Sequence, residues 1–132
     1  MKTLQYVQRE TFLPYGEVLE FPAGIEETFC IITTEEKEPW RLAVFRYTNK
    51  EIQRMECHPT SRESFEPLHG LTVLVVAEEY EAFILDKPVC LKKGIWHQVL
   101  ALTEEAQVKI VENLEVQSEF YDLEKAIHVL VG

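Results

Sequence analysis

The sequence is poor in the features that mark several large functional classes. It has 13 lysines and arginines against 23 aspartates and glutamates, which gives a formal net charge of -10. A chain with this balance has no basic stripe to neutralise a phosphate backbone, so the composition argues against a nucleic-acid partner. The same acidity argues against an anionic membrane surface, and no apolar run approaches the ~20 residues that a membrane span needs.

Cysteine is also scarce. The three cysteines, Cys30, Cys57 and Cys90, are far apart and form no Cys-x-x-Cys pair, so the sequence predicts neither a zinc knuckle nor a redox dithiol. Unpaired cysteines are typical of small buried hydrophobes in a reducing compartment. The first residues include no apolar segment like that of a secretory signal. We therefore expect a cytoplasmic protein.

Short apolar stretches separated by turn residues make up most of the chain. The predicted strands are Glu17–Phe21, Phe29–Thr34, Trp40–Tyr47, Glu51–His58, Leu71–Ala77, Ala82–Leu85, Val89–Leu91, Ile95–Leu102 and Gln107–Glu112. Such strands, spaced roughly 8–12 residues apart, indicate a β-sandwich or β-barrel. Because both faces of Leu71–Ala77 are apolar, we expect this strand to be central and covered on both sides. At 132 residues, we predict a single domain over residues 1–132.

The end of the chain departs from this pattern. Ser118–Val131 places its apolar residues three and four apart, which is the spacing of one helix face. Those apolar residues are Phe120, Leu123, Ala126, Ile127 and Leu130. The sequence therefore predicts a short C-terminal helix that packs on the sheet.

A row of polar side chains lies in the predicted strand that ends at His58. Side chains two apart on a strand share a face, so Arg54, Glu56 and His58 point one way, while Met55 and Cys57 point the other. Such a polar row either faces solvent or lines a wet pocket inside a barrel. Because Cys57 and His58 face opposite ways, they are not expected to form a thiol–imidazole pair.

A second fragment, Gly94-Ile95-Trp96-His97, delivers another histidine about one hairpin further on. Two imidazoles and two carboxylates, from Glu56, His58, Glu63 and His97, could converge on one divalent cation. Imidazole suits zinc, nickel and iron, and carboxylates add the hard oxygen donors that manganese also accepts. The identity of the metal stays open. Without a cation, two adjacent carboxylates would hold a proton between them.

Two motifs carry a resemblance to a known family. The stretch from Glu56 to Pro67, ECHPTSRESFEP, resembles the Glu-Arg-His-Pro-x-x-x-Gln-x-Phe-x-Pro signature of the ureidoglycolate lyase family. The stretch Gly94–His97 is similar to that family's Gly-Val-Trp-His, and Pro14–Glu20 is similar to its N-terminal Tyr-Gly-Asp-Val-Ile run. The resemblance covers most of the chain in the same order.

The resemblance implies a mostly β fold, the cupin-type double-stranded β-helix or jelly-roll barrel, assembled as a homodimer. It also implies an amidine-lyase activity, the cleavage of ureidoglycolate to glyoxylate and urea. The wider cupin metal pattern falls on Glu56, His58, Glu63 and His97, with Glu56 in place of the first histidine. We expect catalytic roles for His58, Glu63 and His97.

Two basic residues are candidates for binding a small carboxylate substrate. Arg46, where the family has an arginine, could clamp a carboxylate with two hydrogen bonds, and Lys92 is a second cation before the Gly-Ile-Trp-His motif. Other positions depart from the family. Glu63 replaces a glutamine, which restores a metal carboxylate, and Val111-Glu112 replaces an Asp-Arg pair. The fold tolerates these changes, but the substrate does not follow from it.

Two other functions fit the same sequence. Polar positions of the family are apolar at Leu91, Val99 and Val111, which favours a non-catalytic cupin that binds a sugar or an organic acid. A metal-dependent cupin isomerase acting on a sugar or a keto acid is the other alternative. Sugar phosphates would require more basic residues than Arg46 and Lys92 provide.

Overall fold

A computed structural model describes residues 3–20, 22–24, 26, 32 and 39–129. The elements, in chain order, are β1 (Gln5–Tyr6), α1 (Arg9–Phe12), β2 (Gly16–Val18), β3 (Trp40–Tyr47), β4 (Glu51–Cys57), β5 (Glu63–His69), β6 (Thr72–Val76), β7 (Glu81–Ile84), β8 (Val89–Leu91), β9 (His97–Ala101), β10 (Ala106–Asn113) and β11 (Glu119–His128). The predicted strand Phe29–Thr34 and Cys30 lie outside the described residues, apart from Ile32.

The strands form two sheets. The first sheet has the order β1-β7-β6-β9-β4-β11 and the second has the order β2-β8-β5-β10-β3. All strand pairs are antiparallel except β1 with β7. The eight strands β3 to β10 alternate between the sheets except for β6 and β7, which are neighbours in the first sheet. This is the strand order of a jelly roll, which is two Greek keys closed on one another. The predicted jelly-roll fold is therefore confirmed by the strand order itself.

The core lies between the two sheets, with a second apolar cluster on the outer face of the first sheet. β6 is the middle of the first sheet, and all five of its residues are buried. Leu74 and Val76 belong to the cluster between the sheets, whereas Val73 and Val75 belong to the outer cluster. The prediction of a central strand covered on both faces is confirmed.

The predicted C-terminal helix is wrong, because the segment forms strand β11 and pairs with β4. Phe120 to Asp122 pair in order with β4, but the next pairing, Ile127 with Ile52, comes after an irregularity in register. Tyr121, Leu123, Ile127 and Val129 all contribute to the outer cluster. Leu123 and Ile127 are four residues apart, a spacing that fits one face of a strand as well as one face of a helix.

Among the described residues, no helix is long and apolar enough to cross a membrane. The single-domain extent, the homodimer and the cytoplasmic location stay predictions.

Gly16 permits a close approach between β2 and β8, and its replacement should be costly. A Cβ atom at Gly16 would overlap the carbonyl oxygen of Cys90. We expect Gly16→Ala to lower the free energy of unfolding by about 2–3 kcal/mol, because two main chains must separate. Gly94→Ala is the matched control, since Gly94 has φ +75° but open space around it, and should cost about 1 kcal/mol. Urea unfolding measures both, and equal losses would contradict the close-approach explanation.

Candidate metal centre

Five titratable side chains meet where the first sheet faces the second. On the first sheet, Glu56 near the end of β4 pairs with His97 at the start of β9. On the second sheet, Glu63 at the start of β5 pairs with Glu112 near the end of β10. His58 follows β4 directly. The four predicted metal ligands are thus brought together, and Glu112 joins them.

Glu63 lies at the middle of the cluster. Its Oε1 is 2.9 Å from Nε2 of His97 and 3.2 Å from Nε2 of His58. Oε1 of Glu112 lies 3.9 Å from the same His58 nitrogen, and Oε1 of Glu56 lies 3.8 Å from the His97 nitrogen. Four of the five side chains are buried, and only Glu56 reaches an exposed fraction of 25%. These nitrogen and oxygen atoms therefore lie close together, away from bulk water.

The far side of each imidazole ring is held by the protein. Nδ1 of His58 lies 3.2 Å from the carbonyl oxygen of Gln117 and 3.1 Å from Oγ of Ser118. Nδ1 of His97 lies 3.0 Å from the carbonyl oxygen of Ile95. A carbonyl oxygen only accepts, so in the neutral ring the proton belongs on Nδ1, and the lone pair of Nε2 points into the centre. Metal-ligating histidines are commonly oriented in this way.

Several buried atoms at the centre lack a hydrogen bond. Oε1 of Glu63, Nε2 of His97 and Oε1 of Glu112 have no hydrogen-bond partner among the described residues, and the close His97–Glu63 approach lacks hydrogen-bond geometry. Each such atom costs about 1–3 kcal/mol if left unpaired. Two groups of possible ligand atoms share His58, and within each group the atoms lie within 4.8 Å of one another. The groups are Glu56, His58 and His97, and His58, Glu63 and Glu112. Two imidazole nitrogens with carboxylate oxygens fit a divalent first-row cation.

Without a cation, the imidazoles hold protons in its place. Burial by itself lowers the pKa of His58, but the adjoining carboxylates of Glu63 and Glu56 outweigh it and raise that pKa to about 9. The pKa of His97 is raised in the same way, against its burial. Burial raises the pKa of Glu63, but the two imidazolium rings outweigh it and lower that pKa to about 2. The carboxylates that stabilise a positive charge on the imidazoles would also stabilise a bound cation.

Glu112 was not predicted as a site residue. Burial and the charge of Glu63 raise the pKa of Glu112, although Arg41 opposes them. Nε and Nη2 of Arg41 both donate to Oε2 of Glu112, at 3.2 and 2.8 Å. The sequence did carry a signal, because Glu112 shares a strand face with Val108 and Ile110, which are buried. A carboxylate on the apolar face of a strand has to be paired or bound.

The structure does not bring Arg46 or Lys92 into the centre. Arg46 lies at the opposite end of β3 from Arg41, its side chain is 68% exposed, and its Nε pairs with Glu105. Lys92 is exposed and donates its backbone N–H to Tyr15. The geometry therefore does not support the predicted contacts of these two residues with substrate. The arginine that contacts the centre is Arg41, which donates to Glu112.

The thiol of Cys57 points away from the centre, as predicted. Its Sγ lies 3.6 Å from Oε2 of Glu119 on the neighbouring strand β11. Burial, together with this carboxylate, raises the pKa of Cys57 to about 11. The thiol therefore stays protonated near neutral pH and is a poor nucleophile.

Comparison with known proteins gives little further information. The chain matches no family model, and no curated protein matches it, so the ureidoglycolate lyase resemblance stays a prediction. An oxalate decarboxylase from Bacillus subtilis is 14% identical, with a TM-score of 0.47 over 65% of this chain and 24% of that chain. A dTDP sugar isomerase from Desulfovibrio desulfuricans G20 is 8% identical, with a TM-score of 0.48 over 88% and 82%.

This chain spans about a quarter of the length of the oxalate decarboxylase. What the strand order and the cluster define directly is a jelly-roll protein with a histidine–carboxylate centre between its sheets.

The protonated imidazoles should make the stability of the metal-free protein depend on pH. Because the folded pKa of His58 is raised from 6.5 to about 9, its contribution is fully present below pH 6.5 and is lost as the pH rises through 9. Because the folded pKa of Glu63 is lowered from 4.5 to about 2, its contribution is present above pH 4.5 and is lost as the pH falls towards 2. We expect urea unfolding in a chelator to show highest stability between these limits.

Two histidine variants test the predicted loss of stability at alkaline pH. His58→Gln should reduce the loss of stability at high pH, whereas His128→Gln should leave it unchanged, because His128 pairs with Glu51 at the surface. An alkaline loss of equal size in both variants would mean that another group is responsible.

Proposed function

We propose that the protein is a metal-dependent enzyme that acts on a small hydroxycarboxylate by lyase chemistry of the ureidoglycolate type. The single observation that carries the proposal is the convergence of His58 Nε2 and His97 Nε2 on buried carboxylate oxygens of Glu63 and Glu112. The motif resemblance supplies the reaction, since it links these positions to cleavage of ureidoglycolate.

His58, His97 and Glu63 would hold the cation, with oxygens of Glu56 and Glu112 available to complete its coordination. The set fits because the ring nitrogens are oriented by backbone carbonyls, and because Oε1 of Glu63 and Oε1 of Glu112 have no hydrogen-bond partner among the described residues. When bound, a divalent cation supplies Lewis-acid polarisation of a hydroxyl or carboxylate oxygen of the substrate. Coordination to the cation would then satisfy the buried atoms that have no hydrogen-bond partner among the described residues.

The remaining work in the reaction is proton transfer. In ureidoglycolate cleavage the hydroxyl proton is removed, the carbonyl of glyoxylate forms, the carbon–nitrogen bond breaks, and the departing urea nitrogen takes a proton. Carboxylate oxygens of Glu56 and Glu112 lie beside the imidazoles, on either side of Glu63. A carboxylate that is not needed as a ligand is placed to accept the first proton and return it to the nitrogen.

A ligand-binding protein without turnover is the second candidate. Leu91 lies directly across from Glu63 in the pairing of β8 with β5 and is buried. It therefore gives the centre an apolar wall where the family carries polar residues. Such a protein would bind the same carboxylate at the cation and release it unchanged.

Metal binding is the first test. Chelator-stripped protein titrated with Mn2+, Ni2+ or Zn2+ should bind one equivalent, and His58→Ala and His97→Ala should each weaken binding at least about 100-fold, because a ligand is lost. His69→Ala is the matched control, since His69 is exposed at the end of β5. Elemental analysis and calorimetry measure the effect. Equal metal content in all four proteins would mean that the ligands are misassigned.

Turnover is the second test. The metal-loaded protein should release glyoxylate and urea from ureidoglycolate, and Glu63→Gln should lower kcat at least about 100-fold, because a ligand of the cation is lost. Coupled detection of glyoxylate follows the rate. A folded, metal-replete protein that raises its melting temperature with ureidoglycolate but releases no glyoxylate would favour the binding protein over the enzyme.

A further inference from the structure

Arg41 occupies an unusual position for a surface arginine. It pairs with Glu112 in the register of β3 with β10, so both side chains leave the second sheet on the same face. Glu112 is buried at the metal centre, whereas the side chain of Arg41 is 46% exposed. Arg41 therefore extends from the centre to the solvent, and a single carboxylate separates its guanidinium from the nitrogen of His58.

The guanidinium group is only partly used. Nε and one hydrogen of Nη2 are donated to one oxygen of Glu112. A guanidinium carries five N–H donors, and within the described part of the chain the Nη1 edge of Arg41 has no hydrogen-bond partner. That edge has the geometry to donate two parallel hydrogen bonds to a carboxylate.

The surroundings of Arg41 are open. Phe45 lies four residues after Arg41 on the same face of β3 and is 52% exposed. On the opposite sheet Phe120, which pairs with Glu56 and so shares its face, is 53% exposed. Phe45 and Phe120 are thus both accessible to solvent on the inner faces of β3 and β11, in the part of the chain that the structure describes. Because the side chain of Arg41 is itself 46% exposed, a small molecule in solution can contact its guanidinium.

With Arg41 included, the charge balance also allows an anion to bind at this point. The carboxylates of Glu56, Glu63 and Glu112 give the centre three formal negative charges. A divalent cation neutralises two of them and Arg41 neutralises the third, with the imidazoles uncharged as ligands. Without Arg41 the loaded centre would be negative and would repel a carboxylate.

We propose that Arg41 is the substrate-recognition residue and that it selects small α-hydroxy or α-keto acids. The carboxylate of the ligand would lie on the Nη1 edge of Arg41, which would leave the oxygen on the adjacent carbon free to bind a cation held by His58, His97 and Glu63. This assignment rests on the proposed function, because it needs a loaded metal centre. It replaces Arg46, which lies on the other face of β3 and is paired with Glu105.

Cobalt-loaded protein and two probes test the assignment. Glycolate is the anionic probe, and methyl glycolate is its uncharged match. Visible absorption of Co2+ reports binding without any turnover. We expect Arg41→Gln to weaken glycolate at least about 10-fold, the loss of a charge-assisted hydrogen-bond pair, and to leave methyl glycolate unchanged. Arg41→Lys should recover part of the loss, since the charge stays but the planar fork is gone. Arg46→Gln is the matched control and should bind like the wild type.

The outcomes separate this inference from the proposed function. If the wild type binds no Co2+, the metal centre is wrong, and the assignment of Arg41 falls with it. If Co2+ binds but glycolate affinity is the same in Arg41→Gln, the assignment alone is overturned. If Arg41→Gln weakens Co2+ and both probes together, Arg41 only positions Glu112, and its role in substrate recognition is likewise overturned.

Discussion

Glu63 is a carboxylate buried between two imidazole rings, and the organisation of this protein depends on how that charge is balanced. A buried carboxylate is costly unless it is paired. Here the partners are His58 and His97, at 3.2 and 2.9 Å. Either two protons or one cation can satisfy the arrangement. If the imidazoles are protonated, Oε1 of Glu112 still has no hydrogen-bond partner among the described residues, and the pKa values of His58 and Glu63 are strongly shifted. A cation can instead bind the nitrogen and oxygen donors together.

The surrounding fold explains why these groups stay in place. β4 and β9 belong to one sheet, β5 and β10 to the other, and both sheets are anchored by an apolar core. The imidazoles are held from behind by the carbonyl oxygens of Gln117 and Ile95. Preorganisation of this kind lowers the entropy that a ligand set loses when it binds a metal. The jelly roll therefore provides a rigid frame, and the chemistry lies in a few strand ends.

Much of the fold and of the centre could be predicted from the sequence. The bounds of β3 were predicted as Trp40–Tyr47, and Glu56, His58, Glu63 and His97 were found because their spacing follows a motif. Glu112 was missed because the motif comparison treated its position as a departure. Strand pairing, which no local pattern gives, placed it beside Glu63. The helix prediction failed because Leu123 and Ile127 are four residues apart, which fits one face of a strand as well as one face of a helix.

The centre connects the two sheets as well as lining the space between them. His97 and Glu56 belong to one sheet, and Glu63 and Glu112 to the other. A cation held by both groups would act as a crosslink between halves of the sandwich. Because a ligand that binds only the native state stabilises it in proportion to the logarithm of its free concentration, the thermal resistance of this protein would rise and fall with the metal supply of its surroundings.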